Sequence, residues 1–166
     1  DDGSGLDEDA VRQEVRPSFT LRWTAFETPK GRSAARNAGV RASCGRIVVF
    51  LDADMEVKPG FLETHFSFHL AHPRTAAVGT IVWPARGAFE RYIGSRGAAK
   101  LRPADPVPPW YFVTGNASLE REDLPGGAPF DETLTGWGGE DLDLGMRLAR
   151  SGVGFAVARS AVSRHL

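Results

Sequence analysis

The chain has 166 residues, 42% of them hydrophobic and 25% charged, with a formal net charge of −1. That is enough for one domain around a single core, and the near-neutral balance gives no electrostatic basis for binding nucleic acid or an anionic membrane surface. Cys44 is the lone cysteine, which excludes an intrachain disulfide and a cysteine-rich metal centre and fits a reducing compartment, while no apolar run is long enough to span a bilayer.

The chain opens on Asp1-Asp2-Gly3-Ser4-Gly5. This is turn chemistry, and such turns normally follow another element. With no methionine and no strand ahead of it, the sequence reads as an internal fragment. Leu6 to Arg16 suggests a short helix stopped by Pro17, and Ser18 to Phe26 alternates as a strand does. In the stretch from Pro29 to Gly39, Gly31 marks a turn and Ser33 is expected to cap a helix running to Ser43. Lys30 and Arg32 then sit at a helix N-terminus, suited to an anion such as a diphosphate, although solvated surface cations have the same appearance.

Ile47-Val48-Val49-Phe50-Leu51 reads as a strand buried on both faces, followed at once by Asp52 and Asp54. Ionised carboxylates are costly to bury unpaired, so the pair is expected in the crevice at the strand's carboxyl end, where open α/β sheets bind ligands. Two hard oxygen donors there suit Mg²⁺ or Mn²⁺ shared with a substrate's phosphates. A polar turn after a strand is the plainer alternative.

Pro59 opens the next helix, with Phe61, Leu62, Phe66 and Leu70 as its expected apolar face and Pro73 as its stop. His65 and His69 have the spacing of a helical metal pair, but no catalytic carboxylate accompanies them, and ordinary packing or surface histidines are expected. Thr75 to Trp83 is the next strand. Phe89 to Ile93 suggests a short helix, and Pro103 to Pro109 is an irregular loop of the kind that lies beside substrates. Tyr111 to Leu119 reads as a strand broken by Gly115, where a ligand or another backbone approaches closely.

Glu140 to Ser151 reads as a helix, with acids in its first turn, arginines in its last and Gly152 just beyond. The helix dipole favours ionised carboxylates at Glu140 and Asp141, one fit to abstract a hydroxyl proton and the other to orient the acceptor. Trp137 offers a flat face for a sugar ring, and Gly136, Gly138 and Gly139 form a loop able to close. Val153 to Val157 is a short final strand.

Asp1-Asp2-Gly3-Ser4, Gly31-Arg32-x-x-Ala35-Arg36-Asn37-x-Gly39, Asp52-Ala53-Asp54, Gly115-Asn116 and Gly138-Gly139-Glu140-Asp141 occur in this order. Together they resemble the inverting family 2 glycosyltransferases of GT-A fold. The Gly-Trp-Gly-Gly-Glu-Asp form is also similar to β-1,4-galactosyltransferases and the chondroitin-polymerase type. The resemblance implies an α/β fold with a Rossmann-like, mostly parallel sheet flanked by helices, its first strands missing from this chain. Residues 1–166 would then be a partial catalytic domain lacking an N-terminal strand-helix-strand, poorly stable alone.

The same resemblance implies the site. Asp2 would contact the nucleotide base, Arg32 the diphosphate, Asp52 the ribose or a metal-bound water, and Asn116 the donor sugar. Asp54 would ligate Mn²⁺ or Mg²⁺ directly, with Asp52 and the terminal His165 as further metal residues. Asp141 would be the base, with Glu140, Trp137, Gly138 and Gly139 on the acceptor. The implied partners are a nucleotide-sugar donor, typically carried on uridine diphosphate, and a glycan or lipid-linked acceptor. Placement is expected in the cytoplasm, with the inner face of the membrane as the alternative and any tether in segments outside this chain. Competing classes are a degenerate transferase that only binds nucleotide or glycan, and a nucleotidyltransferase, whose Gly-rich loop after a first strand is not found here. A haloacid-dehalogenase-like phosphatase also uses Asp-x-Asp, but its later Thr/Ser and Lys motifs are missing.

Overall fold

A computed structural model describes residues 2–15, 19–84, 87, 88, 91, 92, 100–102, 105–136 and 138–166. Trp137 and most of the expected 89–93 helix lie outside the described residues. The helices are α1 (Glu8–Val15), α2 (Arg32–Ala42), α3 (Phe61–Ala71) and α4 (Glu140–Arg150). The strands are β1 (Ile47–Leu51), β2 (Met55–Val57), β3 (Thr75–Val82), β4 (Asn116–Glu120) and β5 (Gly154–His165).

The strands form one sheet in the order β1-β4-β3-β5-β2. Only β3–β5 is parallel; β1–β4, β3–β4 and β2–β5 are antiparallel. The sheet is therefore mixed, which corrects the expectation of a mostly parallel one. Apolar runs report burial and carry no information on strand direction.

One sheet face packs Val40 of α2 and Leu144 and Leu148 of α4 on Val48, Phe50, Ala76, Ala117 and Leu119. The other packs Phe61 and Phe68 of α3 on Ala77, Ala158 and Ala161. Helices thus cover both faces, the three-layer arrangement of α/β domains. β1 lies at an edge of this sheet and is only alternately buried, with Leu51 half-exposed, so burial on both faces does not hold.

The described residues of the 18–26 segment are not in a strand. Gly31 rather than Ser33 is the N-cap of α2, and Ser33 is buried. On α3 the expected apolar face is largely turned out: Leu62, Phe66 and Leu70 are exposed, while Phe61, His65, Phe68 and His69 face the sheet. The i, i+4, i+7, i+8 set that includes both histidines wins because the sheet offers them partners. His65 bonds Ser118 Oγ at 2.8 Å and Asn116 Oδ1 at 3.2 Å, and His69 bonds Ser118 Oγ at 2.7 Å. Burial holds His65 neutral, lowering its pKa from 6.5 to about 4 against the opposing Asn116 bond, and lowers that of His69 too.

β5 continues to His165, well past the expected Val157. Its ladder with β3 shifts register between the pairs Gly79–Ala158 and Thr80–Val162. At this break the Asn116 amide donates to Ala161 O at 2.8 Å, Ser163 Oγ at 3.1 Å and, more weakly, Thr80 O at 3.3 Å. A side chain thereby supplies donors where the ladder is interrupted.

Candidate functional site

The site forms where the ends of β1 and β5 meet the N-termini of α2 and α4. Ahead of α2, the Asp2 carboxylate accepts the N–H groups of Lys30 at 2.6 Å and Gly31 at 2.9 Å. It fixes the turn that enters α2, in which Gly31 has φ 90°. Lys30 Nζ lies 4.8 Å from the Phe26 ring centroid, a cation–π contact.

Arg32 and Arg36 are one helical turn apart on α2 and share a face. Arg36 Nη1 donates to Glu140 Oε1 at 2.8 Å and lies 3.6 Å from Asp141 Oδ1. Its Nη2 donates to Asp52 Oδ1 at 3.4 Å. Arg32 Nε lies 3.4 Å from the same Glu140 oxygen. Two guanidinium groups thus meet three carboxylates, one just after β1 and two from α4. Below Arg36 lies the Phe130 ring, at 5.7 Å. The neighbouring Asn37, fully buried, takes the Phe130 N–H at 2.9 Å and donates to its carbonyl at 2.8 Å.

Sequence reasoning assigned Arg36 and Asn37 no role. The signal was available in the Arg32/Arg36 spacing, but of the acids Arg36 meets only Asp52 is near in sequence, and Glu140 lies 104 residues away.

The two acids of α4 have different surroundings. Glu140 is buried. Burial raises its pKa, but the Arg36 bond, its own backbone N–H and the charges of Arg32 and Arg36 outweigh that and hold it below the usual carboxylate range. Asp141 accepts from Thr114 N at 3.1 Å and Thr114 Oγ1 at 2.8 Å. Burial raises its pKa, and the opposing pull of Arg36 and Thr114 does not cancel that rise. Before them, Gly138 and Gly139 take φ of 86° and 100°, and Gly139 is the N-cap of α4. Consecutive left-handed residues favour glycine and let the exposed loop turn directly into the helix.

Asp52 and Asp54 diverge. Asp52 turns to Arg36, and a Cβ on Gly115 would stand 3.0 Å from its Oδ2, so Gly115 admits the carboxylate. Asp54 Oδ2 lies 3.3 Å from His165 Nε2, and Trp83 stacks on that imidazole at 4.3 Å. Leu166 N donates to Asp54 O, tying the end of the described chain to this turn. Among the described residues no three His, Cys, Asp or Glu side chains form a metal cage. Asp54 and His165 still suit a cation that takes its other ligands from phosphate and water, because neighbouring ligands of an octahedral Mg²⁺ stand about 3 Å apart. Asn116, by contrast, is fully buried, with its amide engaged inside the sheet, so its observed work is structural. No helix among the described residues is long and apolar enough to cross a membrane.

Comparison with known proteins bears on the family and the fold. Residues 1–125 match the family described as glycosyl transferase family 2, and residues 96–165 match that described as the N-terminal domain of galactosyltransferase. The uncharacterized glycosyltransferase YfnE of Bacillus subtilis is 22% identical, over 99% of this chain and 55% of its own. Chondroitin synthase of Escherichia coli is 24% identical, over 99% of this chain and 29% of its own. This chain therefore spans about half the length of the first of these relatives and less of the second. Among solved structures, mannosyltransferase PcManGT from Pyrobaculum calidifontis in complex with GDP-Man and Mn²⁺ superposes with a TM-score of 0.67. It is 25% identical and matches 98% of this chain and 45% of its own. S. aureus TarS 1-349 in complex with UDP gives a TM-score of 0.71 at 17% identity, with 95% and 46% covered. The α/β fold is thus of GT-A type. Since the family match runs over residues 1–125 of 166, the chain belongs to glycosyl transferase family 2.

Proposed function

We propose that this chain is the catalytic part of an enzyme that transfers a sugar from a nucleoside-diphosphate sugar to a hydroxyl acceptor with inversion at the anomeric carbon. The observation that carries this reading is the meeting of donor-side and acceptor-side carboxylates at one site: Asp52 reaches Asp141 through a single guanidinium, that of Arg36. Family membership and the nucleotide complexes of similar proteins support it. PcManGT was solved with GDP-Man and Mn²⁺, and TarS with UDP.

In this reading Asp141 is the general base. Its pKa, raised by burial, suits it to take a proton from an attacking hydroxyl better than an ordinary aspartate would. Thr114 orients its carboxylate with two hydrogen bonds. Glu140, buried beneath both arginines, holds their charge in place rather than touching the acceptor. Arg32, less buried than Arg36, takes the diphosphate in this reading, its greater exposure supporting that role. Asp2 shapes the adjoining turn for the nucleotide, and Gly138 and Gly139 carry the loop that receives the acceptor with Trp137. Asp54 and His165 would hold Mn²⁺ or Mg²⁺, which when bound offsets charge developing on the leaving diphosphate. With Asp141 as the base and the neighbouring Glu140 and Asp52 both engaged by Arg36, a single in-line displacement inverts configuration. The Trp-Gly-Gly-Glu-Asp stretch supports a likeness to galactosyltransferases and chondroitin-type enzymes on the acceptor side, and a glycan or lipid-linked hydroxyl is the acceptor class.

The test is calorimetric titration of UDP and GDP into the full-length protein, with and without Mn²⁺. Asp54→Ala is expected to weaken Mn²⁺-dependent binding by roughly 10-fold or more. With a donor identified, Asp141→Asn should lower kcat by about 100-fold or more while leaving nucleotide affinity unchanged. A folded protein that binds neither nucleotide refutes the transferase reading. Binding without turnover of any donor points to a degenerate binding module.

A further inference from the structure

We propose that Arg36 is a positioning residue that couples the two halves of this site, so that a change at Asp52 is felt at Asp141. The inference deepens the proposed function and rests on its assignment of Asp52 to the donor and Asp141 to the acceptor. Nη2 of Arg36 serves Asp52 at 3.4 Å, while Nη1 serves Glu140 at 2.8 Å and lies 3.6 Å from Asp141. The guanidinium is rigid and planar, so a tilt that shortens one side lengthens the other.

The group has little freedom otherwise. Its side chain is only 15% exposed, and the Phe130 ring beneath it is anchored by Asn37. A purely structural ion pair would need only the short contact to Glu140, which already ties α2 to α4. The two longer contacts, one to each functional carboxylate, are those an exchange between them would use.

The charged groups around Asp141 are Arg36 from α2 and Glu140 from its own helix, with Thr114 bonding it from the segment before β4. Arg32 reaches it through Glu140, and Asp52 through Arg36. Because Thr114 N–H donates to Asp141 Oδ2, the Thr114 amide reports the ionisation of that carboxylate without any substrate.

The experiment is a pH titration of the Thr114 amide resonance in the full-length, ¹⁵N-labelled protein, for wild type, Asp52→Asn, Arg36→Gln, Arg36→Lys and the double variants. Arg36→Gln should raise the proton affinity of Asp141 by roughly 10-fold or more, since a cation beside it is lost. Asp52→Asn should lower that affinity by at least about twofold, and this effect should shrink in the Arg36→Gln background. An Asp52→Asn effect of equal size in both backgrounds overturns the proposal, because the charge is then felt directly through space. So does no effect at all. If Arg36→Gln does not fold, Arg36→Lys decides: a point ammonium keeps the charge but cannot bridge, so the wild-type midpoint should persist while the Asp52→Asn effect shrinks. Undiminished coupling in Arg36→Lys refutes the bridge.

This titration needs no sugar donor, so the result holds whatever the protein transfers. Conversely, full turnover by Asp141→Asn with the coupling intact would remove the catalytic reading and leave the bridge.

Discussion

The buried histidine pair makes the stability of this domain sensitive to mild acid. His65 is fully buried, and its pKa is lowered from 6.5 to about 4, chiefly by burial. A histidine whose folded pKa is depressed contributes no loss above its unfolded value. Stability is then lost as pH falls below 6.5, levelling out once pH passes the folded value. Between about pH 7.5 and pH 5, linkage gives a loss of roughly 2 kcal/mol from this residue. His69 shifts in the same direction and adds to it.

The assay is urea unfolding of the full-length protein at several pH values across that window, for wild type and His65→Gln. Glutamine keeps an amide for Ser118 and Asn116 but does not titrate. The variant should be less stable at neutral pH, and its stability should fall by about 2 kcal/mol less than that of wild type on going to pH 5. Parallel pH profiles for the two proteins would refute the assignment of a neutral, desolvated imidazole at this position.

Two further substitutions test the framework of the site. Gly79→Ala would place a methyl group 2.1 Å from Asn116 Oδ1, whose amide is held by several bonds and cannot yield cheaply; thermal unfolding should report a loss of about 2–4 kcal/mol from overpacking and broken buried hydrogen bonds. Asn37→Ala orphans the N–H and C=O of Phe130; a loss of roughly 2 kcal/mol is expected, with faster amide exchange in the 129–136 loop as the measurement that separates it from general destabilisation.

Much of this architecture was legible in the chain because local chemistry marked it. The apolar run before Asp52, Pro59 ahead of α3, and the acids and arginines at opposite ends of α4 placed those elements close to their observed bounds. What failed was what depends on distant partners. The outward Leu62, Phe66 and Leu70 looked like a core stripe, while His65 and His69 were expected as packing or surface residues, a choice settled toward packing by Ser118 and Asn116 on the sheet. Met55 to Val57 was too short to stand out as a strand, and the polar Arg159-Ser160 hid the continuity of β5. In the site, the carboxylates announced themselves, but Arg36, the side chain they share, did not. Nor did anything in Gly115-Asn116 reveal that the glycine faces Asp52 while the asparagine points inward.

The register shift in β5 has a consequence for His165. Where β3 advances by one residue, from Gly79 to Thr80, β5 advances from Ala158 to Val162, so three extra residues are accommodated. Side chains alternate between faces with a period of two, and an odd insertion reverses every later position. An uninterrupted β5 would send His165 to the opposite face of the sheet from the one where it meets Asp54. The parity of this small excursion, rather than its length or composition, decides whether the histidine belongs to the site. Gain or loss of one residue within Arg159–Ala161 would reverse every later position and remove His165 from Asp54, while gain or loss of two would keep them on one side.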